Sequence, residues 1–212
     1  MSNLLTFSEL LVTKFCHDLA GAIGAINNGF EFLEIENSEE MHKKAMALIK
    51  SSSLEASAKL KFYRYIFGRN QSDGEVDLEE MKQLFNEFFA FNKIKLVFIH
   101  QSSGPNLVQL SGKCCRLVAN LAFLASTSLL QGGEIKIELA QDSVTKKAKI
   151  IASGDKMKVA KEIISILENH ELVEINLNNV HIHFAAKIAT ELGCLVKSTI
   201  KANSFELAIE LS

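Results

Sequence analysis

Two long helical patterns occupy the first part of the chain, and they constrain the fold more than any other feature. Apolar side chains recur at heptad-like spacing from about Leu4 to Ile35 and again from about Glu39 to Phe67, which is typical of amphipathic α-helices. Asn37 and Ser38 lie between the two patterns and supply a turn and an N-cap. The sequence therefore predicts a helical hairpin.

Each predicted helix carries one apolar stripe, and two helices alone cannot bury both sides of such a hairpin. A four-helix bundle made by two chains would bury the stripes, so we expect a homodimer. The stripes consist of Leu11, Phe15, Leu19, Ala22, Ile26, Phe30 and Leu33 on the first helix, and of Met41, Ala45, Leu48, Ser52, Ala56, Leu60, Tyr63 and Phe67 on the second.

The rest of the chain mixes the periods of strands and helices. A polar segment at 68–77 has the composition of a linker, which predicts one domain over 1–70 and another over 71–212. The order of elements predicts an α+β fold, whose second domain is an α/β sandwich with one layer of helices on a mostly antiparallel sheet. Helices are predicted at 77–91, 112–130, 159–169 and 179–192, strands at 93–100, 133–141, 146–153, 194–202 and 205–212, and a loop around Pro105.

Composition limits the partners that such a chain can attract. Lys and Arg total 23 against 25 Asp and Glu, a net charge of -2, so no basic field draws the chain to nucleic acid or to an anionic membrane. The four cysteines lack the spacing of a zinc site, and no leader segment or membrane-length apolar run is recognisable. We therefore expect a cytoplasmic protein that binds no metal, nucleic acid or membrane.

His17 stands inside the first helical pattern, yet a helical wheel turns it away from the apolar stripe. Two glycines share its face, and each costs about 1 kcal/mol relative to alanine in a helix. They predict a surface that another molecule approaches closely; alternatively, they permit close packing within the protein. If the turn lies at residue 37, Lys61 of the returning helix comes near the same height. The residues on this face are Thr13, Ala20, Gly21, Gly24 and Asn28.

The segment FCHDLAGAIGAINNGFEFL, residues 15–33, resembles the H-box of the ChpT-type histidine phosphotransferases, whose pattern is close to CHDL-(small)-x-(small)-GAI-x-N-G-x-E-x-L. The resemblance extends over the whole chain, because the second half follows the order of a histidine-kinase ATPase (Bergerat-like) domain in degenerate form. It implies a hairpin that forms a dimeric four-helix bundle. The matching residues are Cys16, His17, Asp18, Leu19, Gly24, Ala25, Ile26, Asn28, Gly29, Glu31 and Leu33.

The resemblance also shows which kinase motifs are lost. In the stretch that corresponds to the kinase N-box, Asn120 matches the first asparagine, but Leu124 stands where the Mg²⁺ ligand would be. Ala152 replaces the aspartate that would recognise adenine. The stretch VHIHFAAKIATELG has no glycine before Gly193, so it lacks the turn whose backbone amides would close around phosphates. The resemblance thus implies a protein without a cofactor.

What the resemblance implies for function is a phosphorelay intermediate. His17 would be the nucleophile that accepts a phosphoryl group from the aspartate of one response-regulator receiver domain and passes it to another. Asp18 would orient the ring, Lys14 would stabilise charge on the group in transit, and Mg²⁺ would come with the receiver. The likeness points to a CckA-like hybrid kinase upstream and to CtrA-like and CpdR-like regulators downstream, in cell-cycle control.

Two other functions stay open at this point. The chain could be a fragment of a histidine kinase that phosphorylates His17 from ATP, although the lost motifs speak against this function. It could also be a dimeric regulatory adaptor that sequesters a partner without transferring phosphate.

Overall fold

A computed structural model describes residues 2–35, 38–68, 78–102, 108–141 and 145–211. The chain forms two compact units, Met1–Arg64 and Tyr65–Ser212. The division falls before the boundary predicted between 70 and 71, because the last turn of the second helix is bound within the second unit, where Arg116 donates to the Ile66 carbonyl. Residues 69–77 of the predicted linker and the loop at Pro105 lie outside the described residues.

The first unit contains the predicted hairpin. Helix α1 spans Ser2–Ile35 and helix α2 spans Glu39–Phe67, the last three residues of which belong to the second unit. Ser38 directly precedes α2, and its carbonyl accepts a hydrogen bond from the His42 amide at 3.0 Å. Asn37, the other predicted turn residue, lies outside the described residues.

Small residues bring α1 and α2 together. Ala22 and Ala45 are each only 4% exposed. A Cβ atom added at Gly29 would come within 2.5 Å of Ile49 Cγ1, so glycine is required for this close approach. The regular rotation of about 100° per residue then determines which side chains face the other helix and which face solvent.

The predicted apolar stripes are buried only in part. Phe30 on α1 and Leu60 on α2 belong to these stripes, yet they are 52% and 60% exposed. Leu48 is likewise exposed. Two helices cover a narrow sector of each other's surface, so side chains at the flanks of each stripe face solvent in the single chain.

Within the described residues, the second unit combines four helices with a five-stranded sheet, which confirms the predicted α+β fold. The helices are α3 (Leu78–Ala90), α4 (Gly112–Ser126), α5 (Lys161–Leu167) and α6 (Val180–Glu191). The strands are β1 (Ile94–Ser102), β2 (Gly133–Gln141), β3 (Lys146–Ser153), β4 (Val196–Lys201) and β5 (Ser204–Leu211). The strand order is β1-β2-β3-β5-β4; β1 and β2 pair in parallel, and the other neighbours pair antiparallel.

Alternation along the strands places the core of this unit on one face of the sheet. Ile135, Ile137 and Leu139 in β2 are fully buried, whereas the residues between them are partly exposed, a period of two. Helix α4, most of whose residues are buried, packs against β2, β3 and β5. None of the described helices is both long and apolar enough to span a bilayer.

Helix α4 ends at Ser126, four residues before the predicted end at 130. The hydroxyl groups of Ser126, Thr127 and Ser128 each donate to the carbonyl three residues earlier. Such local bonds compete with the continuation of a helix, which is why the apolar pattern overestimates its length.

Candidate functional site

His17 lies in the middle of α1 and points into solvent, as the helical wheel predicts. Its side chain is 84% exposed, whereas that of its neighbour Asp18 is 15% exposed. An exposed imidazole beside a sheltered carboxylate can react with a group on another molecule while the carboxylate holds the ring.

Asp18 is bound from both helices of the hairpin. Its Oδ1 atom accepts a hydrogen bond from Lys14 Nζ at 2.6 Å and lies 3.4 Å from His17 Nδ1, a long contact for an N–H···O bond. Its Oδ2 atom accepts from the Tyr63 hydroxyl at 3.1 Å. The main-chain carbonyl of Asp18 accepts from Lys59 Nζ at 3.2 Å.

These contacts determine the charge of the cluster. Burial raises the pKa of Asp18, but the hydrogen bond and charge of Lys14, with further hydrogen bonds from His17 and Tyr63, outweigh burial and hold that pKa below its ordinary value. Burial and the charge of Asp18 raise the pKa of Tyr63. At neutral pH the carboxyl group is therefore ionised and can only accept hydrogen bonds, so the His17 nitrogen that faces it carries the proton.

Gly21 and Gly24 lie in open space on the same face of α1. Apart from the backbone of their own helix, a Cβ atom built on either would meet no atom of the described residues within 4 Å. Packing within one chain therefore does not explain these glycines, in contrast to Gly29. Thr13, Ala20 and Asn28 are exposed on this face too. These side chains are small or polar, and the surface that they form around His17 is accessible to another molecule.

Lys59 and Tyr63 reach Asp18 from α2, and sequence reasoning missed both. Lys61, which was expected near His17, is exposed, and a helical wheel places it about 160° from Tyr63 around α2. Helical side chains lean toward the N-terminus of their helix, so a mirror about residue 37 misjudges which levels meet. Lys59 also pairs with Glu55 at 2.7 Å. Glu55, Lys59 and Tyr63 follow one another at intervals of four residues, and this spacing is the sequence signal that would have marked their common face of α2.

The residues that were expected at the kinase ligand positions lie in the core of the second unit. Leu124 and Ala152 are 1% and 0% exposed. Asn120 is buried and donates its side-chain amide to the carbonyls of Ile66 at 3.0 Å and Arg116 at 2.8 Å. Among the residues that the structure describes, no group of three His, Cys, Asp or Glu side chains is arranged to hold a metal ion.

The sequence is similar to known phosphotransferases. A family model described as "Histidine phosphotransferase C-terminal domain" matches residues 78–204, which lie in the second unit. Protein phosphotransferase ChpT of Brucella abortus (strain 2308) is 28% identical over 207 residues, which cover 97% of this chain and 94% of that protein. The similarity therefore continues through the hairpin that carries His17.

Solved structures show the same relationship. The structure of a bacterial phosphotransferase is 26% identical and matches with a TM-score of 0.82 over 97% of this chain and 96% of its own. The histidine kinase ThkA in complex with the response regulator protein TrrA matches with a TM-score of 0.52 at 16% identity, over 99% of this chain and 63% of that chain. The second match shows a shared fold.

Proposed function

The chain belongs to the histidine phosphotransferase family, whose C-terminal domain model it matches over 78–204, and from that premise we propose that it passes phosphoryl groups between receiver-domain aspartates through His17. The observation that carries the proposal is the exposed imidazole of His17, whose Nδ1 atom faces the sheltered Asp18 carboxylate. An exposed ring held in this way can serve one partner after another.

The proposed step is a displacement at phosphorus. The lone pair of His17 Nε2 attacks the phosphorus of an aspartyl phosphate, an N–P bond forms, and the P–O bond to the receiver breaks, which returns the receiver's aspartate as a carboxylate. No proton has to leave the ring, because Nδ1 keeps its hydrogen. The reverse reaction delivers the phosphoryl group to a second receiver. Transfer of this kind depends on positioning and on charge stabilisation.

Asp18 and Lys14 assist this step from the same helix as His17. The phosphorylated ring is positively charged, and the adjacent Asp18 carboxylate stabilises that charge. Lys14 lies 2.6 Å from the carboxylate. It keeps Asp18 ionised and adds positive charge at the edge of the site, where the phosphoryl group passes.

The accessible face around His17 is the proposed docking surface for receiver domains. Because the glycines leave the α1 backbone uncovered, a helix of the receiver can approach it closely. The acidic pocket of the receiver supplies Mg²⁺, and this chain supplies no cofactor. The proposed partners are a CckA-like hybrid kinase upstream and CtrA-like and CpdR-like regulators downstream. The proposed contact residues are Thr13, Ala20, Gly21, Gly24 and Asn28.

We further propose that the chain does not use ATP. A buried leucine, Leu124, occupies the position that resembles the kinase Mg²⁺ ligand, and Ala152 occupies the position of the adenine-binding aspartate. Neither side chain has an atom that can coordinate Mg²⁺ or pair with a base.

The protein is proposed to act as a homodimer. Around the axis of α2, Lys59 lies about 40° to one side of Tyr63 and Leu60 about 60° to the other. Since Lys59 reaches the Asp18 carbonyl, Leu60 lies on the side of the hairpin that is turned away from the histidine. A second copy packed on this side completes a four-helix bundle and leaves His17 outside. We call the exposed apolar side chains on this side the apolar face: Leu5, Val12, Ile23, Phe30, Met46 and Leu60.

A phosphotransfer assay tests the proposed function. A receiver domain that carries radiolabelled aspartyl phosphate is mixed with the wild type, with His17→Ala or with His42→Ala, each with and without ATP. We expect label on the wild type and on His42→Ala, which removes another exposed histidine of the hairpin, but none on His17→Ala. Label taken from ATP alone would favour a kinase, and no label from any receiver would favour an adaptor.

A further inference from the structure

We propose that Tyr63 is a positioning residue for His17: from the opposite helix it fixes the Asp18 carboxylate, which determines the ring nitrogen that carries the proton. The Tyr63 hydroxyl donates to Asp18 Oδ2 at 3.1 Å, and the other oxygen of the same carboxylate faces His17 Nδ1. The expected effect of Tyr63 on the rate of phosphotransfer rests on the proposed function, whereas its expected effect on the tautomer of the His17 ring does not.

The two oxygens of Asp18 have different partners, and this difference makes Tyr63 necessary. Oδ1 is shared by Lys14 and His17, both on α1, whereas Oδ2 is bound by Tyr63 on α2. Lys14 has a long flexible side chain that can follow the carboxylate if it rotates. The contact to His17 is 3.4 Å long, so a small rotation of the carboxylate is enough to abolish it.

Tyr63 is itself held in place. Its ring stacks on that of Phe15, with centroids 5.2 Å apart and an angle of 26° between the planes, and the residue is buried. Lys59 binds the Asp18 main-chain carbonyl and pairs with Glu55. The anchor on α2 is therefore rigid, as is required of a group that orients a reactive side chain through a second one.

The position of the proton on the ring determines whether His17 can react. With Nδ1–H donated to Asp18, the exposed Nε2 atom has its lone pair available for attack. In the other neutral tautomer Nε2 carries the hydrogen and has no lone pair to offer. A carboxylate that is free to rotate leaves a mixture of the two tautomers, so only part of the protein is competent.

Tyr63→Phe removes only the hydroxyl group and keeps the ring that stacks on Phe15. The matched control is Tyr65→Phe, a variant of the other tyrosine in the chain, whose phenol is buried beside Cys115 in the second unit. The first readout is the ¹⁵N NMR spectrum of the His17 ring at a pH where the ring is neutral, with the resonance identified by its loss in His17→Ala. We expect mainly Nδ1–H in the wild type and in Tyr65→Phe, and a larger Nε2–H fraction in Tyr63→Phe.

The second readout is the rate of phosphotransfer from a labelled receiver. We expect Tyr63→Phe to lower this rate about tenfold, which corresponds to about 1.4 kcal/mol in the barrier. If Tyr63 acts through Asp18, it should cause no further loss in the Asp18→Asn background, since residues that act as one unit are not additive. Tyr65→Phe should transfer at the wild-type rate.

Two results would overturn the role of Tyr63. One is a tautomer ratio and a rate that are unchanged in Tyr63→Phe; the other is a full tenfold loss in the Asp18→Asn background. A wild type that takes no label from any receiver would instead contradict the proposed function. In that case the ¹⁵N spectra alone decide whether Tyr63 positions the ring.

Discussion

The ammonium group of Lys14 lies 2.6 Å from the carboxylate of Asp18, one helical turn further along α1. Burial of Asp18 opposes its ionisation, yet Lys14, together with weaker contributions from His17 and Tyr63, holds the pKa of Asp18 below its ordinary value of 3.8. The Asp18 carboxylate therefore keeps its negative charge beside His17 at neutral pH.

Replacing Lys14 by glutamine should destabilise the protein in a pH-dependent way. A carboxyl group whose pKa is lower in the folded state than in the unfolded state contributes stability above the unfolded pKa, and the contribution is lost as pH falls through the folded pKa. Lys14→Gln raises the folded pKa of Asp18, so its free energy of unfolding should be lower than that of the wild type at neutral pH. The difference should shrink as pH falls below about 3.8. Urea unfolding over a pH series measures it.

The control for this experiment is Lys43→Gln. Lys43 pairs with Glu39 at the same helical spacing, but both side chains are largely exposed, and exposed pairs contribute little to stability. This variant should unfold like the wild type at every pH. An equal loss in both variants would show that the Lys14 effect reflects the loss of any helical ion pair and not the burial of Asp18.

Much of the hairpin could be predicted from the period of its apolar residues. The wheel places His17 outside, and the bounds of α2 agree with the predicted range. The period does not reveal how wide a sector of each helix the other helix covers. For this reason the predicted buried stripes include Phe30 and Leu60, although both are exposed in the single chain.

The cluster around Asp18 could not be predicted from one helix alone. Its partners Lys59 and Tyr63 depend on the level at which α2 passes α1. That level depends on the segment between the helices, part of which lies outside the described residues, and on the lean of the side chains. Lys14, in contrast, is four residues from Asp18 on the same helix, and such neighbours meet whatever the tertiary structure is.

Gly24→Ala should stabilise the chain and impair phosphotransfer. Alanine is favoured over glycine inside a helix by about 1 kcal/mol, and an added Cβ at this position meets nothing in the described chain. The free energy of unfolding should therefore rise by about that amount. Because the methyl group occupies the proposed docking surface, the KM for the receiver should rise, as measured by titrating the labelled receiver.

Gly29→Ala is the matched control on the same helix. Its Cβ would come within 2.5 Å of Ile49 Cγ1, and overpacking of this kind costs about 1–3 kcal/mol. We expect this variant to be less stable than the wild type. The outcome that contradicts the prediction concerns Gly24→Ala itself. If its KM for the receiver equals that of the wild type, the receiver does not approach the surface around His17 closely.

A charge on the apolar face should separate the proposed dimer. Leu60→Glu places a carboxylate on the apolar face, where its burial against a second copy is unfavourable. Sedimentation velocity should show a shift from dimer to monomer at concentrations where the wild type is dimeric. The control is Leu54→Glu: Leu54 is 55% exposed, close to the 60% of Leu60, but lies about 120° away around α2. If both variants sediment like the wild type, the apolar face is not the dimer interface.

Asn120→Ala should lower the stability of the second unit, because this asparagine is part of its core. Asn120 is 1% exposed, and its amide donates to the carbonyls of Ile66 and Arg116. Arg116 donates to the Ile66 carbonyl and to the Phe67 carbonyl as well, so the last turn of α2 would keep both of these hydrogen bonds. Each buried hydrogen bond contributes about 0.5–1.5 kcal/mol to stability.

Denaturant unfolding of the full chain measures this loss, with Asn86→Ala as the control. Asn86 is exposed inside α3, where alanine is at least as favourable to the helix, so that variant should stay within about 0.5 kcal/mol of the wild type. If Asn120→Ala is as stable as Asn86→Ala, the side-chain amide of Asn120 is not needed to hold the end of α2, and Arg116 alone is sufficient.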